Sequence, residues 1–267
     1  MRTLNTLFCI ILVGTFFSCN NKTEKKNEVL NDYQIDNAVI GTWVKTGPAG
    51  ATSFTFKNNG FVEGDFGRDG TIDITAAFRI SGDTIVFTDK SGLTCPDKGM
   101  YKMYQTKYYT AFDLISDNCN GRIKTTLGFW TRPNFEELLK EIDSTISVKP
   151  DIEAYLNRAR IFMAVGDVAK AKNDFDVYLA ENPNDSRALI NRAGTRFPLD
   201  LSGVMDDCTK AIELDPANKN AYFLRGLARY ELGEKEEACT DFEKAIELGF
   251  SILRIAEEQR CAEYWNQ

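Results

Sequence analysis

The sequence predicts two domains of opposite class, an antiparallel up-and-down β-barrel over residues 34–133 and an all-α solenoid of helix pairs over 150–250. Two periodicities carry this. From Val39 to Arg132 short runs alternate apolar and polar residues, as half-buried strands require. From Pro150 to Phe250 one pattern recurs, with Pro150, Pro183 and Pro216 at intervals of 33 residues, the mark of stacked helix-turn-helix units. A third observation sets both domains apart from the start of the chain, where an apolar run gives way to a polar stretch.

Residues 1–18 begin with Arg2 and continue through an apolar run from Leu7 to Phe17. That run is about half of the ~20 residues a spanning helix needs, so it reads as a signal peptide. Phe16-Phe17-Ser18-Cys19 resembles the bacterial lipobox, with Phe16 where Leu is commoner. The resemblance implies cleavage before Cys19 and lipidation of that residue by three acyl chains, and at ~0.8 kcal/mol per buried methylene these make a permanent anchor. Residues 19–33 are polar and of mixed charge, and form a flexible tether with a reach on the order of 20 Å. Asn20 is not the Asp that holds many such lipoproteins in the inner membrane, and no acidic cluster follows Cys19. The resemblance therefore implies a bacterial outer-membrane location, lipid-anchored and facing the periplasm.

Eight strands follow, at Ile40–Lys45, Thr52–Lys57, Phe61–Phe66, Thr71–Ile80, Thr84–Thr88, Met100–Gln105, Tyr109–Ile115 and Ile123–Thr131. Asn58-Asn59-Gly60 and Ser81-Gly82-Asp83 mark tight turns, and short strands so joined make a closed barrel. Gly41-Thr42-Trp43 and Trp130-Thr131-Arg132 resemble bacterial lipocalin-like domains, which implies that Trp43 packs under Arg132 and closes one end. Cys95-Pro96, Gly99-Met100-Tyr101 and the run from Asp117 to Arg122 are similar to further motifs of that group. The strands are short, and Phe54, Phe56, Phe78 and Phe87 are expected to fill the interior.

Residues 134–149 join the domains. Asn134 can cap a helix with Phe135, Leu138, Leu139 and Ile142 at helical spacing, and projection of the repeat register makes it a linking and capping half-repeat. Three units follow: Ala154–Pro183, Ala188–Pro216 and Ala221–Phe250. Tyr222, Gly226, Gly233, Ala238, Phe242 and Ala245 in the third, and Tyr155, Ala159, Phe162, Gly166, Ala171 and Phe175 in the first, resemble the tetratricopeptide (TPR) repeat. The second departs most, being one residue short with Pro198 at its turn. Small residues let paired helices approach, Phe175 and Phe242 fill the gaps, and Gly166 and Gly233 end first helices. All are core or turn positions. Residues 251–267 are expected to form a C-terminal capping helix.

The chain carries 32 Lys and Arg against 39 Asp and Glu, and the whole excess lies beyond residue 149. That acidity argues against nucleic acid as a partner. There is no His, which removes Ser-His-Asp and Cys-His catalysis and His-held metals, and no phosphate loop is present. No enzyme activity and no cofactor are expected. With Cys9 cleaved away and Cys19 lipidated, five Cys remain. Cys95 and Cys119 are the only two in the barrel and both sit in turns at the same end, so they are expected to pair. Cys239 and Cys261 offer a second pair, and Cys208 is left as a buried thiol.

Two function classes compete. The favoured one is a membrane-tethered scaffold whose first helices, carrying Arg160, Met163, Arg187, Phe223, Leu227 and Tyr230, hold a peptide or helix of another envelope protein. The alternative is a carrier or sensor whose barrel binds a small apolar molecule. TPR domains that grip a terminal carboxylate use Lys, Asn and Arg on these faces; Asn191 fits that set, whereas Leu156, Asn220 and Leu224 do not.

Overall fold

The computed structural model describes residues 38–47, 50–92, 95, 97–250 and 261. The signal peptide, Cys19, the tether and the terminal segment apart from Cys261 lie outside the described residues. Eight strands close into one antiparallel barrel in chain order: β1 (Gly41–Gly47), β2 (Gly50–Phe56), β3 (Phe61–Phe66), β4 (Ile74–Ser81), β5 (Thr84–Ser91), β6 (Gly99–Gln105), β7 (Tyr109–Ser116) and β8 (Gly128–Thr131). β8 returns to β1 through Val44 and Thr131.

Alternation drives this closure. Phe54, Phe56, Phe78, Ile80 and Phe87 turn inward while their neighbours face out. An eight-stranded barrel has room for little more than its own side chains. Here Phe54 stacks on Trp130 at 4.5 Å, and Phe56 meets Phe78 edge-on at 5.0 Å and Phe112 at 6.4 Å. The rings fill the space that an apolar ligand would need.

Two segments differ from the alternation. β4 starts at Ile74 rather than Thr71, and Ile72 is 49% exposed. Carboxylates make a competing turn there: Asp65 accepts N–H bonds from Asp69 and Gly70, and Asp73 accepts one from Phe66 at 2.6 Å. The last strand is also shorter than expected, because residues 120–126 form a helix, α1 (Asn120–Thr126). Ile123 from α1 is buried in the barrel core, and the Thr126 carbonyl accepts the Trp130 indole N–H at 2.8 Å.

Each end of the barrel has its own closure. At one, the Arg132 guanidinium lies 3.6 Å over the Trp43 ring and donates to the carbonyls of Ala38 and Ile40 at 2.9 and 3.1 Å. At the other, Arg122 is buried between Asp117, at 2.6 Å, and Asp89, at 3.0 Å, and also donates to the Asp97 carbonyl. Tyr101 donates to Asp117 at 2.5 Å, and the N–H groups of Cys119 and Cys95 bond to Asp117 and Asp89. Burial opposes the charge on Asp117, yet the bonds from Arg122 and Tyr101 outweigh it and hold its carboxyl below the usual range. Cys95 and Cys119 stand 5.9 Å apart at Cα, at disulfide separation. The scattered motifs from Cys95 to Arg122 are thus one buried ionic cluster under a cross-link.

Seven longer helices follow: α2 (Phe135–Val148), α3 (Ile152–Val165), α4 (Val168–Glu181), α5 (Ser186–Arg196), α6 (Leu201–Leu214), α7 (Lys219–Leu232) and α8 (Lys235–Glu247). Asp151, Asp167, Asp185, Asp200 and Asn218 cap them by accepting first-turn N–H bonds. Gly166 and Gly233 end α3 and α7 at φ of 81° and 87°, a left-handed turn that a Cβ would strain. α5 has no such Gly and stops at Phe197-Pro198, so it is 11 residues long against 14 for α3 and α7.

A ladder of arginines runs through the array. Arg158, Arg192 and Arg225 each grip a buried Asp of the following helix with two bonds, Asp174 at 2.8 and 2.7 Å, Asp207 at 3.0 and 2.6 Å, Asp241 at 2.9 and 2.7 Å. The same guanidinium reaches back to the preceding helix, to Asp143 at 2.6 Å, Asp176 at 3.0 Å and Thr209 at 3.3 Å. Residues 143, 176 and 209 are one period apart, so α2 stands in second-helix register. Cys208 lies buried in the middle unit, where burial pushes its thiol up to about 12, and Cys239 and Cys261 stand 5.6 Å apart at Cα.

Two stability predictions follow from these clusters. A Cβ on Gly99 would collide with the Asp117 carboxylate and come within 2.6 Å of Arg122 Nε, whereas one on Gly121 meets nothing within 4 Å. Gly99→Ala should therefore cost about 1–3 kcal/mol and Gly121→Ala nothing measurable, read by urea unfolding. Arg158→Met strands Asp174 and should cost about 3–5 kcal/mol. Arg225→Met should cost less, because Arg229 still reaches Asp241 at 2.7 Å; equal losses in the same assay would mean that the ladder is not what holds the pairs.

Candidate functional site: the barrel–repeat seam

Tyr109, Thr110, Ala111 and Phe112 of β7 are all buried, although a half-exposed strand would bury only every second one. Thr110, Phe112 and Leu114 belong to the inward set, with Phe112 and Leu114 in the barrel core. Tyr109, Ala111 and Asp113 belong to the outer set, and that face is covered by the repeat helices. A strand packed on both sides loses its alternation.

The covering contacts come from the starts and faces of the first helices. On α3, Arg160 donates to the Tyr109 hydroxyl and lies 5.0 Å from the Tyr109 ring centroid and 6.0 Å from that of Phe129. On α5, the Arg187 guanidinium stacks 3.4 Å over the Tyr104 ring and pairs with Asp113. On α7, Lys219 donates to the Leu114 carbonyl at 2.8 Å, and burial lowers its pKa. Below them Tyr108, in the β6–β7 turn, packs with Ile142, Ala154 and Ile161 of α2 and α3.

The structure shows what each residue of the expected partner-binding set touches within the chain. Arg160 and Arg187 meet aromatic rings and a carboxylate of the chain's own barrel, and Arg187 also lines the open cleft described below. Met163 packs against the core of the first two units. Phe223, Leu227 and Tyr230 surround Ala238, Phe242 and Cys261, and Phe223 stacks on Phe250 at 4.3 Å. The sequence placed these residues on first-helix faces but did not show what would cover those faces. Tyr104, Tyr109, Asp113 and Lys219 were missed altogether. The signal available for them was the Tyr-Thr-Ala-Phe run of β7, too apolar and small for a strand with one wet face.

Two openings remain along the seam. A cleft of about 460 Å³ lies between Tyr104 and Asp113 on the barrel and Arg187, Asn191, Lys219 and Asn220 on the helices. A chamber of about 100 Å³ adjoins it and shares Tyr104, Asp113, Arg187 and Asn191, with Tyr109, Phe129 and Arg160 completing its wall. Among the described residues no group of three or more Cys, Asp or Glu side chains is placed to hold a metal ion. Of the other sequence-derived positions, Trp43 and Arg132 meet as described, the two Cys pairs stand at disulfide distance, and Cys19 lies outside the described residues.

A tetratricopeptide repeat model matches residues 220–249, which span α7 and α8. Mitochondrial import receptor subunit TOM70 of Homo sapiens is 28% identical over 142 residues, covering 50% of this chain and 23% of the receptor. The Rattus norvegicus receptor is 29% identical over the same shares. This chain thus spans about a quarter of the length of the curated relatives it matches. Among solved structures, the Arabidopsis OM64 TPR domain is 28% identical, with 41% of this chain and 93% of that one covered and a TM-score of 0.39. The first TPR of Spaghetti (RPAP3), solved with the HSP90 peptide SRMEEVD, is 22% identical over 43% of this chain and 90% of that one, with a TM-score of 0.39.

The seam makes a direct prediction. Arg187→Ala removes a ring contact and a half-exposed ion pair together worth about 1 kcal/mol, so amide exchange in β6 and β7 should quicken several-fold. Exchange in β2 and β3 should stay unchanged. Hydrogen-exchange mass spectrometry on the full chain reads both, and uniform rates would mean the helices do not hold that face.

Proposed function

We propose that this chain is a lipid-anchored envelope protein that serves as a protein–protein interaction scaffold, presenting the barrel–repeat seam to a segment of another envelope protein. The observation that carries this reading is the cleft: a repeat array of a kind that stacks around binding surfaces leaves, beside its own barrel, an opening large enough for a few residues of chain. The TPR match at residues 220–249 and the import-receptor and peptide-bound relatives support a protein partner. The Phe16–Cys19 motif supports a lipid anchor at Cys19, and Asn20 supports the outer membrane with the domains in the periplasm.

The ring-filled barrel acts in this reading as a wall rather than a container. It takes up part of the first-helix faces and leaves a partner the seam, where one side is strand and the other helix. A short extended segment suits such a site better than a second helix.

Photo-crosslinking in cells tests the scaffold. A crosslinking residue at Asn220, which lines the cleft, should trap one discrete envelope protein, and the same residue at exposed Asn59 in the β2–β3 turn, across the barrel from β6 and β7, should not. Equal trapping at both sites, or none at Asn220, would refute the seam as the partner surface. For the anchor, Cys19→Ser should release the protein from the membrane fraction and abolish fatty-acid labelling with no change in its melting temperature. A wild-type protein that takes up no label would overturn lipidation.

A further inference from the structure

The barrel holds an amine that no carboxylate answers. Lys45 stands near the end of β1, two residues after Trp43, so its side chain shares the inward set of that strand. Its Nζ donates to the Leu127 carbonyl at 2.8 Å and lies 4.6 Å over the Trp130 ring, which itself stacks on Phe54. Across the strand pair stands buried Thr52, and beyond it Phe66, which is 38% exposed at that rim of the barrel. Lys45 is itself partly exposed there, so the amine is approached from the rim and not through the ring-filled interior.

The surroundings leave this amine without a counter-ion. β1, β2 and β8 carry no other charged residue. On β3, Glu63 pairs with Lys57, and Asp65 accepts the N–H groups of Asp69 and Gly70. Asp73, before β4, takes the Phe66 N–H, and Arg122 of α1 is held by Asp117 and Asp89. Surface lysines such as Lys57, Lys102 and Lys172 each meet a carboxylate. Lys45 meets a ring face and one carbonyl instead, and burial brings its pKa down to about 7. An amine desolvated against an apolar wall in this way is a nucleophile near neutral pH.

The geometry points to Lys45 as a covalent modification site at the rim of the barrel, where its amine captures a small aldehyde borne on a flat, apolar group. The nitrogen lone pair adds to the carbonyl carbon, the oxygen takes up a proton, and the carbinolamine loses water. Amine and aldehyde thus become an imine and one water, with no oxidant or reductant. The Trp130 and Phe54 rings offer the apolar group a face to lie on, and the Leu127 carbonyl, which already accepts from Nζ, is placed to accept from the protonated imine. The site lies inside the barrel wall, apart from the seam, and needs no protein partner, so it stands or falls separately from the scaffold reading.

Competitive labelling of the full chain tests this. With trace acetic anhydride at about pH 7, about half of the Lys45 amine is free of its proton, against about one part in a thousand for an ordinary lysine. The lower nucleophilicity of a less basic amine takes back part of that advantage, so peptide mapping by mass spectrometry should find Lys45 acetylated about tenfold or more faster than Lys57 or Lys102. Its rate should level off above about pH 8, while those of the two surface lysines keep rising to about pH 10. Benzaldehyde with sodium cyanoborohydride, which reduces an imine to a stable secondary amine, should mark Lys45 before any other lysine. Lys45→Arg, which keeps the cation and forms no imine, should lose that mark with Lys57 labelled as before. Thr52→Asp, which sets a carboxylate across the strand pair from Lys45, should slow both reactions about tenfold by holding the proton on the amine. If either variant misfolds, the comparison among lysines of the unaltered chain still decides. Acetylation of Lys45 no faster than of Lys57 and Lys102 would mean that the amine keeps its proton or is closed off, and fast acetylation with no trapped imine would mean that the rim admits no aldehyde. Either result overturns the proposal.

Discussion

Burial of β7 on both faces is the constraint on which the rest of the molecule depends. Its inner residues complete the barrel core and its outer residues form the floor for α3, α5 and α7. A barrel with that strand wet would expose Tyr109, Ala111 and the ring of Phe129. A repeat array without the barrel would leave Arg160, Arg187 and Lys219 unmatched. Each domain hides a surface that the other needs hidden, so the seam is a product of both and belongs to neither.

Arginine does most of the polar work in holding this together. Arg132 closes one barrel end over a ring, Arg122 closes the other between two carboxylates, and Arg158, Arg192 and Arg225 tie successive helices. A planar guanidinium can satisfy two carboxylate oxygens and still reach a third acceptor, which a lysine cannot. The buried aspartates are tolerable only because they are gripped in this way. Such pairs add little net stability over apolar packing, but a missing partner is heavily penalised, so they select one register of helix against helix.

The ladder and the chamber differ in how their arginines are met. Along the ladder every buried Asp has its Arg. In the chamber Arg160 has rings and a hydroxyl in place of a carboxylate, and Asn191 stands one residue before Arg192, whose own guanidinium is fully used on α4 and α6. Two neighbouring positions on one helix, about 100° apart around its axis, thus divide between the array and the seam.

The sequence by itself determined the barrel and the repeats, because side-chain periods of two and of about 33 are local properties that need no knowledge of contacts. It also determined the left-handed stops at Gly166 and Gly233, since a cap is settled within its own turn, and it marked the motifs from Cys95 to Arg122. It misjudged Thr71–Asp73 and Ile123–Thr126, where side-chain turn bonds and a core-plugging helix overrode an alternating pattern. Only the tertiary structure decided that Arg160 and Arg187 face the barrel, that Tyr104, Tyr109 and Asp113 share their site, and that the ladder steps from α2 onward. Those pairings join residues up to 83 positions apart in the chain. No local pattern encodes which of several exposed-looking cations will meet which ring, because that depends on how two finished surfaces fit.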